Sequence, residues 1–208
     1  MKHNVLFERP GKKLSKQYVF VVNGSTGHTN KTRVIDDYYA TNPLCVKCLL
    51  EESGEHFNKL VWEPAVGGGS ISEVLKEYGH DVRSSDIVDR GYPGTEIINL
   101  YNYNKTWYGD IITNPPYKGA LEFVEKCLDL VADGFKVAML LKLTFLEGIE
   151  RRKFFDSNPP KTVAVLSHRM ECAPNGDFEH YHAGGAIAYA WYIWEKGYKG
   201  RPYIVWIN

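Results

Sequence analysis

Asn114-Pro115-Pro116-Tyr117 is the stretch whose residue types most directly suggest chemistry. It follows the short apolar run Ile111-Ile112-Thr113, which reads as a buried strand. The two prolines stop that strand at once, because they lack the backbone donors a sheet needs. What remains is an amide side chain and an aromatic ring in a stiff turn at the strand's carboxyl end. That edge is where open α/β sheets bind their ligands. Taken alone, the four residues also describe nothing more than a proline-terminated strand. Their surroundings must decide.

A second constellation lies upstream. Leu60-Val61-Trp62-Glu63 is a short apolar run ending in a carboxylate, followed by Pro64-Ala65-Val66-Gly67-Gly68-Gly69-Ser70 and then an amphipathic stretch over residues 71–78. Strand, glycine loop and helix in that order open a Rossmann-like nucleotide site. Glycines let the backbone approach a ligand closely, and the helix start offers free N–H groups. The spacing is not G-x-G-x-x-G, and no lysine follows the glycines as in a phosphate-binding loop. A dinucleotide or nucleoside triphosphate is therefore disfavoured. Residues 81–85 form the next strand, closed by Asp86 about 20 residues beyond the glycines. Alone that acid reads as a loop cap, but its position relative to Gly67 and Gly69 favours accepting from ribose hydroxyls. Asn99-Leu100-Tyr101, after a weak third strand over 95–98, stands where an adenine ring is held between an apolar and a polar side chain.

The elements that must position these residues follow in sequence. The fourth strand, residues 110–113, delivers Asn114. A helix over 120–131 carries Leu121, Val124, Leu128 and Val131 at helical spacing, a core stripe. Further strands are expected at 136–143, 162–166 and 186–194, with an eighth at the edge over 203–207. A helix over 147–156 has a basic face at Arg151, Arg152 and Lys153, a pattern that is usually a solvated face. Cys45 and Cys48 form one C-x-x-C in a helix starting after Pro43. A zinc site wants a second pair, and Cys127 and Cys172 stand far apart, so buried apolar behaviour is the expectation.

Composition bounds the reading. The 208 residues suit one catalytic domain over 36–208, preceded by an arm over 1–35 made basic by Lys12, Lys13, Lys16, Lys31 and Arg33. Equal numbers of basic and acidic residues, 25 of each, argue against a generally sticky nucleic-acid binder but leave local patches open. Absence of a long apolar run and of a signal-like start points away from membranes and toward the cytoplasm. Oligomeric state is not readable.

Glu63-Pro64-Ala65-Val66-Gly67-Gly68-Gly69 resembles motif I of the class I S-adenosylmethionine (SAM)-dependent methyltransferases. Asn114-Pro115-Pro116-Tyr117 resembles motif IV of their amino-methyltransferases, above all the adenine-specific DNA enzymes of phage or prophage type. The Tyr39-Ala40-Thr41-Asn42-Pro43 loop resembles motif X. The resemblance covers roughly residues 36–195. It implies a Rossmann-like α/β fold, a mostly parallel seven-stranded sheet with helices on both faces, and S-adenosyl-L-methionine as cofactor. Cofactor contacts would fall to Tyr39, Thr41 and Pro43; Glu63, Pro64, Ala65, Gly67 and Gly69; Asp86 and Ile87; and Asn99 and Leu100.

The same resemblance implies that Asn114, Pro115, Pro116 and Tyr117 are the catalytic set. An aromatic amino or amide nitrogen is a poor nucleophile, because its lone pair is delocalised. The Asn114 side-chain oxygen and the Pro115 carbonyl would accept its two N–H bonds and favour a tetrahedral, nucleophilic geometry. Tyr117 would stack on the planar substrate, and a duplex base would first be flipped from the helix. DNA is the leading partner. A protein glutamine amide, an RNA base and a non-catalytic SAM-fold binding role stay open as alternatives. Sequence could be read only by the basic arm, by the loop over 167–185 with His168, Arg169, His180 and His182, or by the chain's end.

Overall fold

Strand β6 shows why this chain forms a central sheet: every residue from Val137 to Leu141 is buried, the continuous apolar run of a strand covered on both faces. In the computed structural model, residues 39–168, 173–174 and 187–208 are described. The strands in chain order are β1 (Tyr39–Ala40), β2 (Leu60–Glu63), β3 (Asp81–Asp86), β4 (Glu96–Ile97), β5 (Asp110–Thr113), β6 (Lys136–Lys142), β7 (Thr162–Leu166), β8 (Ala173–Pro174), β9 (Tyr189–Glu195) and β10 (Tyr203–Ile207). The helices are α1 (Pro43–Glu52), α2 (Ser70–Glu77), α3 (Ala120–Leu130) and α4 (Ile149–Ser157).

Among the described residues one sheet holds eight strands in the order β10-β7-β9-β6-β5-β2-β3-β4. All its pairings are parallel except those of β9, which runs antiparallel between β6 and β7. The count corrects the seven strands that the resemblance implies and agrees with the eighth, edge strand expected over 203–207: β10 pairs along β7 over five residues. β1 and β8 pair separately as a short antiparallel ribbon.

Alternation along the strands sends side chains to two cores. Val61, Ile112, Ala138, Leu140 and Trp191 meet α1 and α2 on one face. Trp62, Ile111, Val137, Met139 and Tyr192 meet α3 and α4 on the other. Helices therefore cover both faces. The cysteines of α1 lie in the first of these cores, fully buried beside Val46 and Leu49. Burial, and then the charges of Glu52 and Glu51, raise the Cys48 thiol, so it stays protonated and packs as a small apolar group.

Several boundaries move. The third strand shrinks from the expected 95–98 to Glu96–Ile97, and the long strand after the loop starts at Tyr189, not at 186. On α3, Phe123 and Cys127 are buried with Val124 and Leu128, whereas Leu121 is only partly covered. Facing a sheet needs a wider stripe than the one read from the apolar spacing alone. The basic arm over 1–35, its expected strand at 18–22, and most of the loop over 167–185 lie outside the described residues. Among those described, no helix is long and apolar enough to cross a membrane.

Candidate active site

A cavity of about 220 Å³ opens at the carboxyl ends of β2, β3 and β5. Three loops form its wall: Glu63-Pro64-Ala65 after β2, Asp86-Ile87 after β3, and Asn114-Pro115-Pro116-Tyr117 after β5. Thr41 closes one side, and Asn99 and Leu100 another. Twelve of the sixteen residues singled out in the sequence thus share one wall.

The β2 loop is fastened from below. Glu63 is 1% exposed, and its carboxyl accepts from Ser72 Oγ, which also lies 2.8 Å from Ser84 Oγ. Burial pushes the Glu63 pKa well above the usual carboxylate range, and the nearby Asp86 charge pushes the same way. Ser72, itself backed by Ser84, therefore serves a carboxyl that the fold favours in its neutral form.

Asp86 is clamped by backbone. Its Oδ2 accepts from Gly67 N at 2.9 Å and its Oδ1 from Val88 N at 3.1 Å. Val66 N donates to the Ser85 carbonyl at 3.0 Å, and Ile98 N to the Asp86 carbonyl at 2.8 Å. These bonds stitch the glycine loop to the end of β3 and the segment after β4. Each carboxylate oxygen has further lone pairs, so the group can still accept from a ligand at the cavity wall.

The segment bearing Asn99 and Leu100 is held by Arg83. Its guanidinium sits over the rings of Trp62 and Tyr103, 4.7 and 5.0 Å from their centroids. It also makes a bidentate pair with Glu96, at 2.8 and 2.9 Å. Asn99 Oδ1 accepts from Tyr101 N at 3.0 Å, capping the short turn Leu100–Asn102. The oxygen thus serves the turn, while Leu100 offers an apolar wall.

At the third loop, Asn114 Nδ2 donates to Thr41 Oγ1 at 3.1 Å, tying motif to motif across the cavity. That bond fixes the plane of the amide. The Tyr117 and Tyr189 hydroxyls lie 2.9 Å apart, and Lys142 Nζ stands 4.6 Å from the Tyr117 ring centroid.

Four singled-out residues do not line the cavity. Tyr39 pairs with Pro174 through β1, and Pro43 is the first residue of α1, behind an Asn42 cap that accepts from Leu44 N at 3.0 Å. Gly67 acts through its N–H on Asp86. Gly69 has φ +89°, and a Cβ there would lie 2.2 Å from the Tyr92 ring. Its missing side chain makes room for tyrosine, whose hydroxyl contacts Glu73 and accepts from Lys76 at 2.7 Å on α2.

Conversely, Arg90, Tyr101 and Phe123 line the cavity and had not been singled out. Tyr101 and Phe123 meet edge to face at 6.4 Å. Tyr101 sat within the Asn99-Leu100-Tyr101 run; Phe123 belongs to a helix read purely as core, and no local signal marks Arg90.

The strand order, with one antiparallel strand placed between β6 and β7, decides the architecture. The fold is that of the class I methyltransferases. A protein from Listeria monocytogenes, proposed to be a class I SAM-dependent methyltransferase, superposes with a TM-score of 0.56 at 12% identity, covering 91% of this chain and 70% of that one. One from Pyrococcus horikoshii, proposed to be an RNA methyltransferase, gives 0.53 at 14% identity, covering 88% and 99%. A type I restriction-modification methyltransferase subunit from Streptococcus thermophilus gives 0.58 at 13% identity over 82% of this chain, which spans 47% of that subunit. No protein-family profile and no curated protein sequence matches the chain.

Proposed function

We propose that this protein is a SAM-dependent methyltransferase that transfers a methyl group to an exocyclic amino nitrogen, that of adenine in DNA, after flipping the base from the duplex. The observation that carries the reading is the common wall. Asn114-Pro115-Pro116-Tyr117 faces the same cavity as Glu63-Pro64-Ala65 and Asp86. A nitrogen held by the first group would lie beside a cofactor held by the others.

The residues present fit that cofactor. Asp86, locked by two backbone N–H groups, is a preorganised acceptor for a pair of ribose hydroxyls. Ile87, Ile98 and Leu100 provide apolar surface for a nucleobase ring. When bound, SAM supplies an electrophilic methyl group on a sulfonium. The chain's own work is positioning. The Asn114 oxygen and the Pro115 carbonyl accept the two N–H bonds of the substrate amino group, turning its lone pair toward the cavity. Thr41 keeps the Asn114 amide in the plane this requires. Tyr117 gives the planar substrate a surface that replaces part of its lost stacking. No strong general base is needed, because the proton becomes acidic only once the nitrogen is methylated.

The likeness in fold to a type I restriction-modification methyltransferase subunit supports DNA as the substrate, and the likeness to a proposed RNA methyltransferase keeps an RNA base as the competing outcome. The test is transfer from methyl-labelled SAM to adenine-containing duplex DNA, structured RNA and a protein pool, each digested and the labelled product identified. N6-methyladenine from DNA supports the proposal. Label on a glutamine amide or an RNA base, with none on DNA, overturns its substrate.

A further inference from the structure

A second cavity, of about 140 Å³, lies beside the first, and Tyr117 is the residue that lines both. Behind that ring the recess is bordered by Lys142, Thr144, Phe145 and Arg151. We propose that Lys142 and Arg151 grip a backbone phosphodiester of a polynucleotide substrate, next to the nucleotide whose base is presented to Asn114. The inference rests on the methyltransferase reading above and deepens it, by assigning the side chains that hold the substrate's backbone beside the reacting nucleotide.

Charge carries the argument. The neighbouring cations on α4 are neutralised locally: Arg152 pairs with Asp156 at 2.9 Å and Lys153 with Glu150 at 3.1 Å. Lys142 and Arg151 have no carboxylate partner among the described residues. Among the described residues, two half-buried positive charges thus border one small recess with no carboxylate paired to either. Such an arrangement costs free energy in the empty protein and is relieved by an anionic ligand.

The cations are also positioned. Arg151 Nε donates to the Glu147 carbonyl, and its Nη2 to the Thr144 carbonyl at 3.4 Å. Those bonds occupy two of the guanidinium's five N–H groups and leave the others for a ligand. Gly148, at φ +108°, lies beneath it, where a Cβ would approach Nη2 to 3.0 Å. Lys142 is held against the Tyr117 ring by a cation–π contact. Its ammonium therefore reports on the same ring that would stack on the substrate base. Phosphate oxygens match both groups, through the ammonium as a point charge and the guanidinium as a fork. A glutamine side chain offers no anion to them.

The experiment is fluorescence anisotropy of a labelled adenine-containing duplex with wild type, Lys142→Gln and the double variant with Arg151→Gln, each at several salt concentrations. SAM affinity and thermal melting are measured on the same samples. The expected result is a salt slope of log K that falls by about 0.9 for each cation removed. Duplex affinity at low salt should fall at least several-fold, with SAM affinity unchanged. Because Arg151 also ties down its loop, Lys142→Gln alone is the decisive variant if the double one melts early. An unchanged slope in a folded Lys142→Gln protein overturns the inference. So does a wild type that binds SAM and methylates only a protein amide, while leaving the methyltransferase reading intact. A wild type that binds no SAM removes that reading itself.

Discussion

Thr41 and Asn114 are 73 residues apart in the chain and 3.1 Å apart in space, and their bond gives the clearest division between a group that acts and a group that positions. Asn114→Ala removes the acceptor itself, so kcat should fall at least about 100-fold, with SAM affinity unchanged within a few-fold. Thr41→Val removes one neutral hydrogen bond, worth about 1 kcal/mol, so a loss of roughly five-fold is expected. Steady-state kinetics with saturating cofactor separates the two. Equal losses would show that Thr41 does more than orient the amide.

Glu63 gives a second residue-scale expectation, in the pH dependence of stability. An unfolded glutamate ionises near about pH 4.3, and burial raises the folded pKa well above that value. Between the two, the native state holds a proton that the unfolded state has released. Stability from this group therefore falls as pH rises. Asp110, whose pKa burial also raises, adds a slope of the same sign that is common to wild type and variant. Glu63→Gln keeps a polar partner for Ser72 but cannot ionise. In urea melts its stability relative to wild type should improve steadily from about pH 5 to about pH 8. Parallel profiles would mean that Glu63 ionises freely in the fold.

At the scale of elements, the junction between the glycine loop and α2 is the point to perturb. Gly69 caps that helix in the left-handed region with the Tyr92 ring against it. Gly69→Ala should cost about 1–2 kcal/mol for the backbone alone, and more for displacing the ring. Adding Tyr92→Ala should recover the second part and leave the first, a non-additivity measurable in denaturant melts. Strict additivity would contradict the packing role. From sequence, this glycine is indistinguishable from its neighbours Gly67 and Gly68, because the ring that needs the space lies 23 positions downstream of Gly69. β2, β5, β7 and β10 have the limits their apolar runs suggest, since dense β-branched and aromatic stretches between turn residues carry their own boundaries. β4 is shorter than its run: only Glu96 and Ile97 pair, with Ser85 and Asp86 at the end of the neighbouring strand. Phe123 joined the cavity wall unannounced, since an apolar helical residue looks the same whether it faces a core or a cleft.

For the molecule as a whole, sequence order already implied the architecture: strands alternating with amphipathic stretches build a parallel sheet with its loops gathered at one edge. What lay beyond local reading was how the recess behind Tyr117 is assembled. Lys142 ends β6 and Arg151 opens α4, and their shared wall exists only once both elements pack beside the β5 loop. The basic run over Arg151, Arg152 and Lys153 accordingly divides: two of its members are the solvated, ion-paired face that composition suggests, and one turns inward.

The central claim is that the cavity at the carboxyl ends of β2, β3 and β5 is a SAM site, and calorimetric titration tests it directly. Wild type should bind SAM at a single site. Replacing Asp86 by Asn or Ala should weaken binding about 10- to 100-fold, as expected for losing charge-assisted bonds to ribose hydroxyls, in variants whose melts show them folded. No binding by wild type, or full affinity in a folded Asp86→Ala protein, would contradict the account.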